Sequence, residues 1–189
     1  MLEAAAEAES AVGRRQAAPT GRLRLACAGV FGRLHVVPRL PHFLARYPEV
    51  SVELRFADGF VDLVEEGIDL AIRVGEVTDT GLIARRIGLS RRVLVATPNF
   101  VARVGRPEVP EDLCNKPCIV NDRLATGAAW TFEGPSGAVS VPVDGPVHAD
   151  ATEAVRAAAL AGLGFAYVPA WHFPDGALRD GRMVELMRD

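Results

Sequence analysis

A chain of 189 residues, 49% hydrophobic and 24% charged, is long enough to bury a core, and 18 Gly with 13 Pro exclude a collagen-like or mostly disordered chain. There is room for one domain or two small lobes, not for that core plus a separate catalytic or DNA-binding domain. A net charge of -3, from 21 basic and 24 acidic residues, excludes a strongly cationic nucleic-acid binder as a whole. The acidic start, Met1-Leu2-Glu3-Ala4-Ala5-Ala6-Glu7, has no apolar secretory core, and no apolar run reaches membrane-spanning length. Three cysteines (Cys27, Cys114, Cys118) do not make a disulfide framework and point to a reducing, cytoplasmic setting. No carboxylate occurs between Glu9 and Glu49, whereas Arg14, Arg15, Arg22, Arg24, Arg33, Arg39 and Arg46 do. Their spread over several elements favours solvated faces over one anion-binding patch.

Residues 2–12 are strong helix formers with few large apolar groups, as at the end of a longer helix, and 13–20 read as a linker. Arg22-Leu23-Arg24-Leu25 alternates as a strand that Gly29 ends. Phe31, Leu34, Val37, Leu40, Phe43, Leu44 and Tyr47 recur at helical spacing, with Pro38 predicting a kink and Tyr47-Pro48 the end. Val50–Phe56 alternates as a second strand, Asp58 can cap a short helix that Gly67 closes, and Ile68–Val74 is a third strand. This strand–helix rhythm predicts a parallel sheet with helices packed on it.

The second half is richer in turns. Arg92–Thr97 reads as a strand, Pro98 opens a short helix, and Pro110–Leu113 forms a helical turn. Ile119-Val120, Ala129–Phe132 and Val139–Val143 read as short strands. Asp150 with Glu153 resembles a capping box at the start of a helix that runs to Gly162; Gly164–Val168 and Met183–Met187 are the last strands.

Catalytic and metal motifs are weak. His35 and His42 lie seven apart, where a helical metal pair needs three or four. His148 and His172 have no acidic or cysteine cluster near them in sequence. Cys114-Asn-Lys-Pro-Cys118 has no second half for a zinc site. Gly-x-Ser-x-Gly, a P-loop and Gly-x-Gly-x-x-Gly are absent from the sequence, so the chain is read as non-enzymatic, with no metal and no cofactor. The better feature is the turn Ala28-Gly29-Val30-Phe31, which joins a parallel strand to a helix and directs backbone N–H groups toward the sheet's carboxyl edge. An ordinary strand-to-helix turn has the same form.

Several runs together resemble the effector-binding domain of LysR-type transcriptional regulators. They include Pro38-Arg-Leu-Pro-His-Phe-Leu-Ala-Arg-Tyr-Pro48, Val61-Asp-Leu-Val-Glu-Glu-Gly-Ile-Asp-Leu-Ala-Ile-Arg-Val-Gly75, Leu82-Ile-Ala-Arg-Arg86 and Ala161-Gly-Leu-Gly164. The resemblance covers about residue 13 to the C-terminus. It implies an α/β fold like the type 2 periplasmic binding proteins, two lobes of mixed sheets flanked by helices, the second incomplete, with a ligand cleft between them. The implied division is a linker-helix remnant and linker at 1–20, lobe one at 21–96 and lobe two at 97–189.

Carried over residue by residue, the cleft positions are Ala28, Gly29, Val30 and Phe31 on the first turn, and Arg73 and Val74 after the third strand. Asn121, Asp150, Ala151, Gly164 and Phe165 come from lobe two. Family members often place a Ser or Thr hydroxyl on the first turn; Ala28-Gly29-Val30 offers none, which shifts the expected effector from a simple carboxylate toward a larger or more apolar molecule, anionic or partly apolar. The family's helix-turn-helix domain and its closing segment, which returns to lobe one, have no counterpart here, so lobe one should expose apolar surface and the isolated chain should be weakly stable.

The resemblance implies a ligand-sensing regulatory domain, a homodimer or tetramer in the parent protein, DNA contact only through the helix-turn-helix, and no membrane contact. The alternatives are a stand-alone cytosolic solute-binding protein and an enzyme on the same fold.

Overall fold

The computed structural model describes residues 18–57, 62–75, 81–123, 128–134 and 137–188. The expected linker helix at 2–12 lies outside them. β1 (Gly21–Cys27) is central in the first sheet. β2 (Val50–Phe56) pairs with it in parallel from Gly21↔Val50 to Cys27↔Phe56, and β3 (Leu70–Ile72) pairs on its other side against Leu25–Cys27. β3 is shorter than the sequence suggests because the Asp69 carboxylate accepts the Arg24 N–H at 2.8 Å, where a strand carbonyl would have done so.

Parallel neighbours need a crossover, and 29–46 supplies it. It is one helical run in four pieces: α1 (Gly29–Phe31), a π turn (Gly32–Val36), a 3-10 turn (Val37–Arg39) and α2 (Leu40–Arg46). Pro38 has no N–H to continue an α-helical ladder, so the expected kink is spread over two tightened or widened turns. At Gly32 the run lies close to the sheet: an added Cβ would come within 2.3 Å of the Phe56 ring. Asp58 lies outside the described residues; beyond it, Asp62 Oδ1 accepts the N–H groups of Val64 and Glu65, and Gly67 (φ 61°) closes the turn.

The second lobe is built on β4 (Arg92–Ala96), which lies between β10 (Val184–Leu186) and β9 (Ala166–Pro169), antiparallel to both. β4 thus pairs with strands from the C-terminal part of the chain and not with the first sheet. Thr97 caps α3 (Pro98–Val104) by accepting the Phe100 N–H.

Alternation along β4 feeds two cores. Val93 and Val95 join Val155, Ala159 and Met183; Leu94 and Ala96 join Phe100, Leu113, Trp130 and Phe165. β5 (Pro117–Asn121) splits in the same way, with Ile119 on one side and Cys118 and Val120 on the other. β6 (Ala129–Gly134) and β7 (Gly137–Pro142) form an antiparallel hairpin.

β8 (Asp144–Ala149) is not among the strands expected from the sequence. It is an edge strand parallel to β5, and a proline is tolerated at an edge. Gly145 is required there, since a Cβ would sit 2.0 Å from the Cys118 carbonyl oxygen. The following helix α4 (Thr152–Leu160) takes Ala151 as its N-cap with no side-chain cap, which corrects the expected Asp150 capping box. The helix starts one residue late for that box, and Glu153 is paired elsewhere.

Both large buried clusters lie in the second lobe. The first lobe buries Leu25, Ala26, Cys27 and Val30 but leaves Phe56, Leu70 and Val74 at least half exposed, in keeping with the expected apolar surface there.

On β8, His148 bridges two carboxylates, with Nδ1 3.2 Å from Asp122 Oδ1 and Nε2 2.9 Å from Asp144 Oδ1. The Asp144 bond first, then the Asp122 bond, raises the imidazole above its ordinary value of 6.5. A raised folded-state value stabilises fully below about 6.5 and is lost as pH rises through the folded value. In an NMR titration His148 should titrate above 6.5, and Asp144→Ala should lower its midpoint; a wild-type midpoint at or below 6.5 contradicts the bridge.

Candidate functional site

The site is set by where parallel strands end. Cys27 and Ile72 are partners in the first sheet, so Ala28 and Arg73 leave its carboxyl edge side by side. Asn121 and Ala149 are partners in the second lobe, which places Asn121, Asp150 and Ala151 together at the carboxyl edge of β5 and β8. Carboxyl edges of parallel strands are the usual ligand-binding crevices of α/β folds.

Three contacts bring the two edges together. Phe31 meets the Trp171 ring edge-on, with centroids 5.3 Å apart. His35 Nε2 lies 2.8 Å from the Trp171 carbonyl oxygen. Arg33 forms an ion pair with Glu153 in the first turn of α4. The helical run that α1 opens and the start of α4 thus lie against each other. The first N–H of the helical run to find an acceptor within it is that of Gly32, bonded to the Ala28 carbonyl at 2.8 Å.

The expected site residues divide into two groups. Ala28, Gly29, Phe31, Arg73, Val74, Asn121, Asp150 and Ala151 lie on or beside these two edges. Ala28, Gly29, Phe31 and Arg73 are half-buried, and Val74 and Asp150 are exposed. Asn121 is buried, its Oδ1 accepting the Arg123 N–H at 3.0 Å.

Val30, Gly164 and Phe165 are placed differently. The Val30 side chain is fully buried and serves the core. Phe165 pairs with Cys118 and exchanges backbone hydrogen bonds with Pro117 and Ile119, near the amino end of β5. That is three residues, about 10 Å, from Asn121. Its ring is fully buried and edge-on to Phe100, while a Cβ on Gly164 would press within 3.0 Å of Ile119 and the Pro117 carbonyl. Gly164 and Phe165 thus hold β5 against the approach to β9.

Among the described residues, no group of three or more His, Cys, Asp or Glu can hold a metal ion. All three cysteines are free, and burial pushes the Cys27 thiol up and the Cys118 thiol up to about 12, away from nucleophilic thiolate.

Residues 16–189 match the LysR substrate binding domain family. The chain belongs to that family.

Among its relatives is the HTH-type transcriptional regulator PtxR of Pseudomonas aeruginosa, 36% identical over 174 residues, which span 91% of this chain and 55% of PtxR. The solved structure of CrgA, a LysR-type transcriptional regulator from Neisseria meningitidis, superposes with a TM-score of 0.82 at 26% identity, covering 98% of this chain and 62% of that one. The CrgA regulatory domain alone gives 0.80 at 26% identity, covering 89% of this chain and 82% of the other. The chain spans little more than half the length of the curated relatives it matches. The two-lobed α/β fold of the LysR regulatory domains is thus its fold. Among the described residues, no helix is long and apolar enough to cross a membrane.

Within this LysR domain, sequence reading missed the residues that join the walls. Arg33, His35, Glu153 and Trp171 fall on separate elements with no shared spacing. The one available signal was a tryptophan just past a strand end. Trp171 sits in a 3-10 turn (Ala170–His172) that Arg156 braces: its Nε donates to the His172 carbonyl at 2.7 Å, and its guanidinium approaches Asp175 and the Phe173 ring. Arg156→Ala leaves that buried carbonyl without its donor and should cost about 2 kcal/mol. It should also broaden or red-shift Trp171 emission. Unchanged stability and emission would show that the brace is dispensable.

Proposed function

We propose that the chain is the effector-sensing part of a LysR-type DNA-binding regulator, and that a small anionic or partly apolar molecule binds between Ala28–Phe31 with Arg73 on one wall and Asn121, Asp150 and Ala151 on the other. The observation that carries this reading is the facing of two parallel-strand carboxyl edges in a chain of this family. The turn supplies backbone donors and Arg73 supplies a cation. Phe31 and Trp171 offer apolar area, which suits an acid with a hydrocarbon or aromatic body rather than a small hydroxy acid.

Binding across the crevice would shift the equilibrium between lobe arrangements, and a homodimer or tetramer of the parent protein would pass that shift to helix-turn-helix domains on DNA. This segment itself would bind no DNA and catalyse no reaction, and the parent protein would act in the cytoplasm. The relatives' naming as transcriptional regulators favours this over a free solute-binding protein or an enzyme. A thermal-shift screen of organic acids tests it. A ligand at a hundred times its Kd should add about 2.7 kcal/mol of stability. Stabilisation by cations or sugars and by no acid would overturn the proposed chemistry.

A further inference from the structure

A second cavity lies within the first lobe, between the helical run 29–46 and the sheet, with a volume of about 420 Å³. That is within the range of small-molecule sites, about 300–1,000 Å³. Its floor is Leu25, Val52 and Ile72 from the three strands, and its roof includes Val36, Leu40 and Phe43. Two cationic or polar side chains, His35 and Arg39, complete the lining. The exposed Arg39 donates from Nη1 to the His35 carbonyl, and among the described residues no carboxylate pairs with it. Gly32 holds the start of the run against Phe56, and the turns around Pro38 break the regular helix.

We infer that this cavity is a separate binding site for a monocarboxylate with a hydrocarbon body, its tail between helix and sheet and its carboxylate on Arg39. Charge complementarity selects the head: an apolar chamber lined by a guanidinium that meets no carboxylate among the described residues favours an anion over an alcohol or an amine. The site is coupled to the crevice, since Phe31 and His35 line the cavity and are also the two residues that touch Trp171. A tail inserted beside them changes how they meet Trp171. The inference does not require the crevice ligand to be an acid, or to exist.

The experiment is calorimetric titration of octanoate into the 189-residue chain, with octan-1-ol and octylamine as head-group controls and tryptophan emission as the coupling readout. Octanoate should bind with a Kd below about 1 mM. Arg39→Glu, an exposed substitution that leaves the fold intact, should weaken it about tenfold or more. Leu40→Trp should fill the chamber and remove binding while the circular dichroism spectrum is kept. Octanoate should shift the emission of the wild-type chain but not that of Trp171→Phe.

Equal affinity for octan-1-ol, unchanged affinity in Arg39→Glu, retained binding in folded Leu40→Trp, or an emission unmoved by saturating octanoate would each overturn the proposal. Octanoate seated in the crevice instead would be recognised by loss of binding in Gly29→Asp together with retention in Arg39→Glu, and overturns it as well.

Discussion

Phe165→Ala should lower the unfolding free energy by about 4 kcal/mol, as large-to-small changes at fully packed aromatic sites do. The ring is wholly buried, packs edge-on against Phe100, and belongs to the cluster with Leu113, Trp130 and Leu186. Its backbone also ties β5 to the approach of β9. Removing the ring leaves a cavity at the junction of two strands whose own hydrogen bonds hold them apart, so the site has little freedom to collapse. Domains of ordinary stability have about 5–15 kcal/mol in total, so the variant should be marginal at 37 °C. Urea denaturation measures this directly. A loss under about 1 kcal/mol with impaired ligand binding would return Phe165 to the crevice, where the family resemblance placed it.

Gly29→Asp should reduce affinity for a crevice acid about a hundredfold or more, with little loss of stability. Gly29 opens α1 on the crevice wall and has no carboxylate neighbour in its own turn. An Asp side chain in a first helical turn is compatible with the helix dipole, so the fold tolerates it. The new carboxylate takes the space and the backbone donors that the ligand's anion needs, and repels that anion in a partly desolvated site. Calorimetry with any acid found by thermal shift gives the answer. Unchanged affinity would place the ligand elsewhere.

Much of the fold was legible because its signals are local. The alternation of Leu23 and Leu25 against Arg22 and Arg24, the helical spacing from Phe31 to Tyr47, and Pro98 at a helix start each act within a few residues of themselves. What was not legible depends on tertiary partners. β8 forms through Gly145-Pro146 because among the described residues it pairs with β5 alone, and Cys118 leaves no space for a Cβ at Gly145. The length of β3 is decided by Asp69 reaching Arg24, 45 residues away in sequence.

The approach of the two carboxyl edges was half legible. Strand ends such as Ala28 and Asn121 follow from chain order, because a parallel strand's carboxyl edge is fixed by its direction. The pairing of Arg33 with Glu153 and of His35 with Trp171 joins residues more than a hundred positions apart, and no spacing rule records it. Phe165 fails in the other direction: its place beside a glycine after a helix looks like a binding turn, yet the parallel bridge to Cys118 draws it into the core.

The central claim is that the crevice between the two carboxyl edges is where this LysR domain takes its effector. The most direct measurement is a crystal structure of the chain with the acid that raises its melting temperature most. The predicted result is density for that acid against Ala28–Phe31 on one side and against Asn121, Asp150 and Ala151 on the other, with Arg73 at its charged end. Density confined to any other surface, with the crevice filled only by solvent, would contradict it.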